Sequence, residues 1–304
     1  MVKKILRELR SRLRIRKIAR SAILADFDAC ACGKNQGKHN LSFFLLIKDS
    51  AKYLNEWLAY HYSIGVEHFY IINDMSVDNI KQVLEPWKKL GIVSVADFKV
   101  DAMQNEMYTY FSRKLAGRTK WLGFLDLDEF LVVKSKKMID WLNSFPENTS
   151  AVEINWCCFG SSGLENYEDV FVTKRFKKYA NADFEANMHV KSIVKLGENF
   201  TFLNPHSSMP SAKYVRNSNQ EIVKPEEQDF FQRQPVFDNA WINHYFCLSK
   251  EEFAEKIKRG KADSRTSIRN WEEFEYHNRN ECTGDKSLET AEKQINDTLL
   301  ELRL

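Results

Sequence analysis

Between residues 41 and 128, short apolar runs alternate with segments of helical periodicity, and two of those runs end in acidic clusters. The first, Leu41 to Ile47 (LSFFLLI), is nearly all apolar, the pattern of a strand buried on both faces. Residues 52–64 place Leu54, Trp57, Leu58 and His61 on one helical face, with Gly65 ending the helix. Residues 67–73 (EHFYIIN) predict a second strand, followed by Asp74-Met75-Ser76-Val77-Asp78. A helix from about 78 to 90 stops at Gly91, a third strand spans 92–98, and a helix fills about 102–116. The fourth strand, 121–125, runs straight into Asp126-Leu127-Asp128-Glu129. Such alternation implies an α/β fold with parallel strands joined by right-handed crossovers. Its ligands sit beyond the carboxyl ends of the strands, near a switch in strand order. Both acidic clusters fall at that edge.

From Ala151 the pattern turns to shorter strands, at 151–156, 170–176, 189–196 and 199–203, and closes with helices near 249–260 and 266–278. The 304 residues include 21 Phe, 11 Tyr and 7 Trp, an apolar load that excludes a disordered chain and is ample for a core. The longest apolar runs are far short of the roughly 20 residues a spanning helix needs. No apolar stretch follows the basic N-terminus, so neither a secretory signal nor an anchor is expected, and cytoplasmic residence is. Of the net charge of +3, residues 1–20 alone contribute +8. With Ile5, Leu6, Leu9 and Leu13 at helical spacing, residues 1–25 read as a basic amphipathic helix. It is suited to the anionic inner face of a membrane, or to packing on its own domain. Nucleic acid is not expected as a partner, because no aromatic residue interleaves with these charges before Phe27. Residues 26–40 (DFDACACGKNQGKHN) read as a linker. The six cysteines form no CxxC pair and fit reduced thiols, Cys30, Cys32 and His39 being a weak metal-binding alternative.

Asp126 and Asp128 flank one residue at a strand end, so both carboxylates point the same way and one divalent ion can engage one or both. The competing reading is an acid-rich surface turn. Apolar residues on both sides oppose it, since buried unpaired carboxylates cost several kcal/mol. An aspartate-nucleophile phosphatase also presents D-x-D after an apolar strand. There the motif lies in the first strand and a small residue follows; here three strands precede it and Glu129-Phe130 follow.

The segment LIKDSAKYLNEWLAYHYSIGVEHFYIINDMSVDN resembles glycosyltransferase family 92 and its family 2-like group. So do DLDEF, FGSSG at 159–163, HVKSIV at 189–194, NPH at 204–206 and INHYFCLSKEEFAEKIKRGKAD at 242–263. The resemblance implies a GT-A fold, a Rossmann-like mixed sheet with helices on both faces. It also implies a nucleotide-sugar donor, a divalent metal (Mn2+ or Mg2+) and inversion at the anomeric carbon. A glycosyltransferase domain over 41–263 follows, with a nucleotide-sugar-binding half (41–150), an acceptor-binding half (151–263) and a C-terminal helical extension (264–304). Asp126 and Asp128 match the DxD motif, and Asp74 matches the carboxylate for the nucleoside, with Asp78 a weaker candidate. His206 is implied as a third metal ligand or a diphosphate contact, and His244 equally. Lys191 is implied to meet phosphate or a sugar hydroxyl, and Glu129 to contact a substrate or orient its neighbours. Satisfied core histidines and a solvated lysine are the plain alternatives.

Inversion needs a general base to take the acceptor's proton. Glu165, Glu153, Asp183 and Asp229 are candidates, with Glu165 favoured because it follows the FGSSG loop. Trp156 and Phe159 are candidates for stacking on a sugar, and His61 reads as core. The resulting expectation is transfer of a hexose, galactose first, from a UDP-sugar to a glycan or lipid-linked glycan in bacterial polysaccharide or lipooligosaccharide assembly. A binding protein that keeps the fold without turnover is the rival.

Overall fold

Two helices, α1 (Val2–Ala19) and α2 (Ile23–Cys30), precede the first strand in the computed structural model. It describes residues 2–30, 38–135, 137–210, 214–224, 234–261, 268–286, 288 and 291–304. The predicted alternation then appears as β1 (His39–Ile47), α3 (Ala51–Ser63), β2 (His68–Asn73), α4 (Ile80–Lys89), β3 (Val93–Asp97), α5 (Gln104–Lys114) and β4 (Thr119–Phe124). Next come β5 (Glu129–Val133), α6 (Met138–Asn143), β6 (Ala151–Cys158), α7 (Val172–Arg175), β7 (Val190–Lys195), β8 (Phe200–Phe202) and β9 (Ser208–Pro210). The chain closes with β10 (Val215–Asn217), β11 (Ala240–His244), α8 (Lys250–Arg259), α9 (Trp271–His277) and α10 (Ala291–Leu302).

One nine-stranded sheet runs β3-β2-β1-β4-β7-β6-β11-β5, with β10 on β6; β8 and β9 form a separate ribbon. β1 explains its own composition. Leu41, Phe43, Leu45 and Ile47 enter the core under α3 and α4, while Phe44 enters the opposite core under α2 and α5. A strand covered on both faces has no solvent side, so from Leu41 to Ile47 every position but Ser42 is apolar. The expected Rossmann-like mixed sheet with helices on both faces is therefore present.

Strand direction decides where chemistry collects. β1 is parallel to β2 and β4, and β7 is antiparallel to both β4 and β6. β11 is parallel to β6, while β5 is antiparallel to β11. The carboxyl ends of β1, β2, β4, β6 and β11 thus share one edge with the starts of β5 and β7. The chain leaves β1 for β2 and β3 on one side and returns to β4 on the other, the switch point at which a ligand crevice opens.

Two expectations are corrected. Residues 26–30 belong to α2 and not to a linker: Phe27 is buried with its ring 5.3 Å from Tyr70 and 5.6 Å from Phe111. Burying such a ring is worth roughly 1.5–3 kcal/mol, enough to order the segment. Residues 172–175, expected as strand, form the short helix α7. The Val172 and Thr173 N–H groups donate to the buried Glu56 carboxylate at 2.8 and 2.9 Å, which satisfies its N-terminus from another element. Cys32 lies outside the described residues, whereas Cys157, Cys158, Cys247 and Cys282 are free thiols.

Candidate active site

The crevice between β1 and β4 opens into a pocket of about 300 Å³. Ile47 and Lys48 border it at the end of β1, Asp74 follows β2, and Asp126 to Asp128 follow β4. Trp156 comes from β6, His206 from the loop after β8, His244 from β11, and Lys256 and Arg259 from α8. Lys261 and Arg269 complete a set of five basic side chains against the acids Asp74, Asp126 and Asp128. An excess of fixed positive charge in a concave site suits a ligand carrying several negative charges.

Each aspartate of the D-x-D is held by its own lysine. Lys191 donates to Asp126 Oδ2 at 2.6 Å and faces Glu129 Oε1 at 3.4 Å. Lys256 donates to Asp128 Oδ2 at 2.6 Å and to the Phe246 carbonyl at 2.7 Å. Burial alone would raise the Asp128 carboxyl, but the Lys256 ammonium, by its charge and its hydrogen bond, outweighs it and holds the group well below the usual carboxylate range. Glu129 differs: it is fully buried, and burial pushes it well above the usual range despite Lys191. Its Oε2 accepts the Asp126 N–H at 2.8 Å, so it sits beneath the loop and shapes it.

His244 Nε2 lies 3.8 Å from Asp128 Oδ1. Burial holds this imidazole well below its ordinary range, although Asp128 pulls upward, so it is neutral and keeps a lone pair. Its Nδ1 is buried without a hydrogen-bond partner among the described residues. A neutral imidazole beside an ionised carboxylate is the donor set of a divalent-cation site. Among the described residues no group of three or more such donors forms. A cation that also binds a diphosphate does not need one, because one or two protein ligands plus phosphate oxygens and water suffice. The residues therefore fit a divalent ion at Asp128 and His244.

The other expected residues divide. Asp74 lines the pocket, its Oδ1 accepting the Val100 N–H at 2.8 Å. His206 lines it too, with burial depressing its ring well below the usual range. Lys191 is brought to the site, where it meets Asp126 and not the open space. Asp78 is not among the pocket's lining residues; its carboxylate accepts the Ala51 N–H at 2.9 Å and caps α3. Glu165 is a surface group, 64% exposed, paired with Lys250 at 2.9 Å and not among the residues lining the pocket. Glu153 is buried in β6 and Asp183 is exposed, and neither reaches the pocket. Asp229 lies outside the described residues. Phe159 is wholly buried, which corrects its stacking role, whereas Trp156 borders the pocket with its ring 4.8 Å from His189. His61 is core, accepting the Leu131 N–H at Nε2 over 3.2 Å.

Sequence reasoning missed Lys256, Arg259 and Arg269. The signal for Lys256 was a lysine on the apolar stripe of α8, in phase with Phe253.

The profile described as glycosyltransferase family 92 matches residues 47–283. A Ricinus communis protein described as a glycosyltransferase family 92 protein is 23% identical over 231 residues, covering 68% of this chain and 39% of the relative. An Arabidopsis thaliana galactan beta-1,4-galactosyltransferase is 24% identical over 228 residues, 63% of this chain and 43% of its own. The chain thus spans about two fifths of the length of these curated relatives. Among solved structures, S. aureus TarS 1-349 is similar at 14% identity and TM-score 0.39, over 71% of this chain and 62% of that one.

Proposed function

The chain belongs to glycosyltransferase family 92, and from that premise we propose that it is a metal-dependent, inverting transferase moving a hexose from a UDP-sugar to a glycan. The observation that carries this reading is the meeting of Asp128, its lysine and a neutral His244 at the mouth of a net-basic crevice. Asp128 and His244, with Asp126 beside them, would hold manganese or magnesium, which would supply positive charge to offset that of a departing nucleoside diphosphate. Lys256 holds Oδ2 of Asp128, and Oδ1, on the side of His244, would be the oxygen available to such an ion. Arg259 and Arg269 line the same pocket and supply guanidinium groups for phosphate oxygens. Asp74, which lines the pocket just after β2, is assigned in this reading to the nucleoside. Galactose is the first sugar to test, in line with the names of the Arabidopsis thaliana relatives. A lipid-linked glycan, as in bacterial polysaccharide or lipooligosaccharide assembly on the cytoplasmic side of a membrane, is the proposed acceptor.

The test is thermal stability with UDP, GDP or dTDP, with and without manganese, on wild type and Asp128→Asn. Ligand at about 100 times its dissociation constant adds about 2.7 kcal/mol, or about 4 °C for a chain of this size. A shift confined to UDP plus manganese and lost in the variant supports the reading. A shift with another nucleotide changes the donor, and no shift with any of them refutes it. Binding without sugar release or transfer from UDP-galactose or UDP-glucose would favour the non-catalytic rival.

A further inference from the structure

Helix α1 has two faces, and the domain uses only one. On the inner face Ile18 is buried, and Arg14 Nη1 donates to the Ala102 carbonyl at 3.1 Å and to Glu106 at 3.3 Å. The outer face carries Leu6, Leu9 and Leu13 at the three- and four-residue steps of one helical stripe, which Arg16 continues. These leucines are 49%, 50% and 61% exposed. Arg10 and Arg12 are exposed beside them, and Glu8 is the sole acid of the helix.

We propose that this outer face is seated on an anionic lipid surface. Three outward leucines need an apolar phase, and the surplus of arginines and lysines needs a dense array of negative charge. A headgroup layer above acyl chains offers both within a few ångströms. A nucleic acid would meet the charge and leave the leucines in water. No helix among the described residues is long and apolar enough to cross a membrane, so α1 lies along the surface. Its docking point adds a consequence. Arg14 holds α1 to the turn that enters α5, and Val100 and Gln104 on either side of that turn line the pocket. Lipid seated on α1 therefore brings the pocket mouth to the headgroup layer. That last step rests on the transferase reading; the binding of α1 to lipid does not.

The experiment is sedimentation of the full chain with vesicles of phosphatidylglycerol and phosphatidylcholine, and with phosphatidylcholine alone, at low and high salt. Wild type is compared with Leu9→Ser/Leu13→Ser and Arg10→Ser/Arg16→Ser, exposed positions whose replacement leaves the thermal midpoint in place. Expected is binding to the anionic vesicles alone, weakened about tenfold or more by either pair of substitutions. Wild type left in the supernatant overturns the proposal. So does binding that ignores the leucine pair, or that poly(U) RNA matches, since either would make α1 a general polyanion arm. Vesicle binding with no nucleotide shift refutes the transferase and keeps the lipid surface. The reverse outcome refutes only the lipid surface.

Discussion

Replacing Glu252 by Gln tests how the pocket's lysine is held in place. Glu252 and Arg175 form a two-pronged ion pair at 2.8 Å on each arm, and both side chains are almost wholly buried, at 0% and 2% exposure. Glu252 also accepts the Ser249 and Tyr53 hydroxyls, closing the N-terminus of α8. Lys256 sits one turn further along the same helix. Burial alone would raise the Glu252 carboxyl; Arg175 and then Ser249 more than offset it and hold the group at about 2 against its ordinary 4.5. That displacement corresponds to about 3 kcal/mol. Leaving Arg175 charged and unpaired predicts a similar loss of about 3–5 kcal/mol, or about 5–8 °C for a chain of this length. The sign in pH follows from a depressed carboxyl. Its contribution is complete above about pH 4.5 and is lost as pH falls through about 2. Urea melts of wild type and Glu252→Gln therefore differ most near neutrality, and the gap falls by roughly half by about pH 3. A gap under about 1 kcal/mol, or one that does not change with pH, would refute the argument.

Lys256→Met should raise the dissociation constant of manganese-dependent UDP binding about tenfold or more, because Asp128 loses the cation that orients it; calorimetric titration measures this. His244→Phe should abolish manganese dependence of the UDP shift, while GdmCl stability changes by less than about 2 kcal/mol. Since burial keeps His244 and His206 neutral, UDP affinity measured from about pH 8 to about pH 6 should stay within a factor of about three. Gly160→Ala would set a Cβ 2.2 Å from the Arg279 carbonyl, so it should cost about 1–3 kcal/mol in a thermal melt.

The four strands from β1 to β4 were legible because each is short, buried on both faces and punctuated by Gly65, Gly91 or an acidic cluster. Asp126 and Asp128 were legible for a related reason: carboxylates at the end of such a strand have few structural uses. Residues 170–176 misled because their apolar spacing suits a strand, and the buried Glu56 that turns Val172 and Thr173 into a helix start lies far away in sequence. His244 could be singled out only by family resemblance. Nothing local shows that Ala240–His244 inserts beside β6, opposite Glu129 and Cys158. Glu165 lies outside the pocket lining because proximity to a loop in sequence says nothing about which side of the loop faces the crevice.

Insertion of β11 between β6 and β5 also governs how the molecule must be assembled. Among the described residues β5 pairs only with β11, so Phe130 and Leu131 have no neighbouring strand until residues 240–244 have been synthesised. A ribosome emitting this chain exposes an apolar edge beside the D-x-D through the making of the entire second half, the state in which nascent chains associate wrongly. The pairing that buries that edge also delivers His244 to the pocket, in one late event of high contact order. Residues 41–150, expressed alone, would hold both aspartates and still be a sheet with an open side.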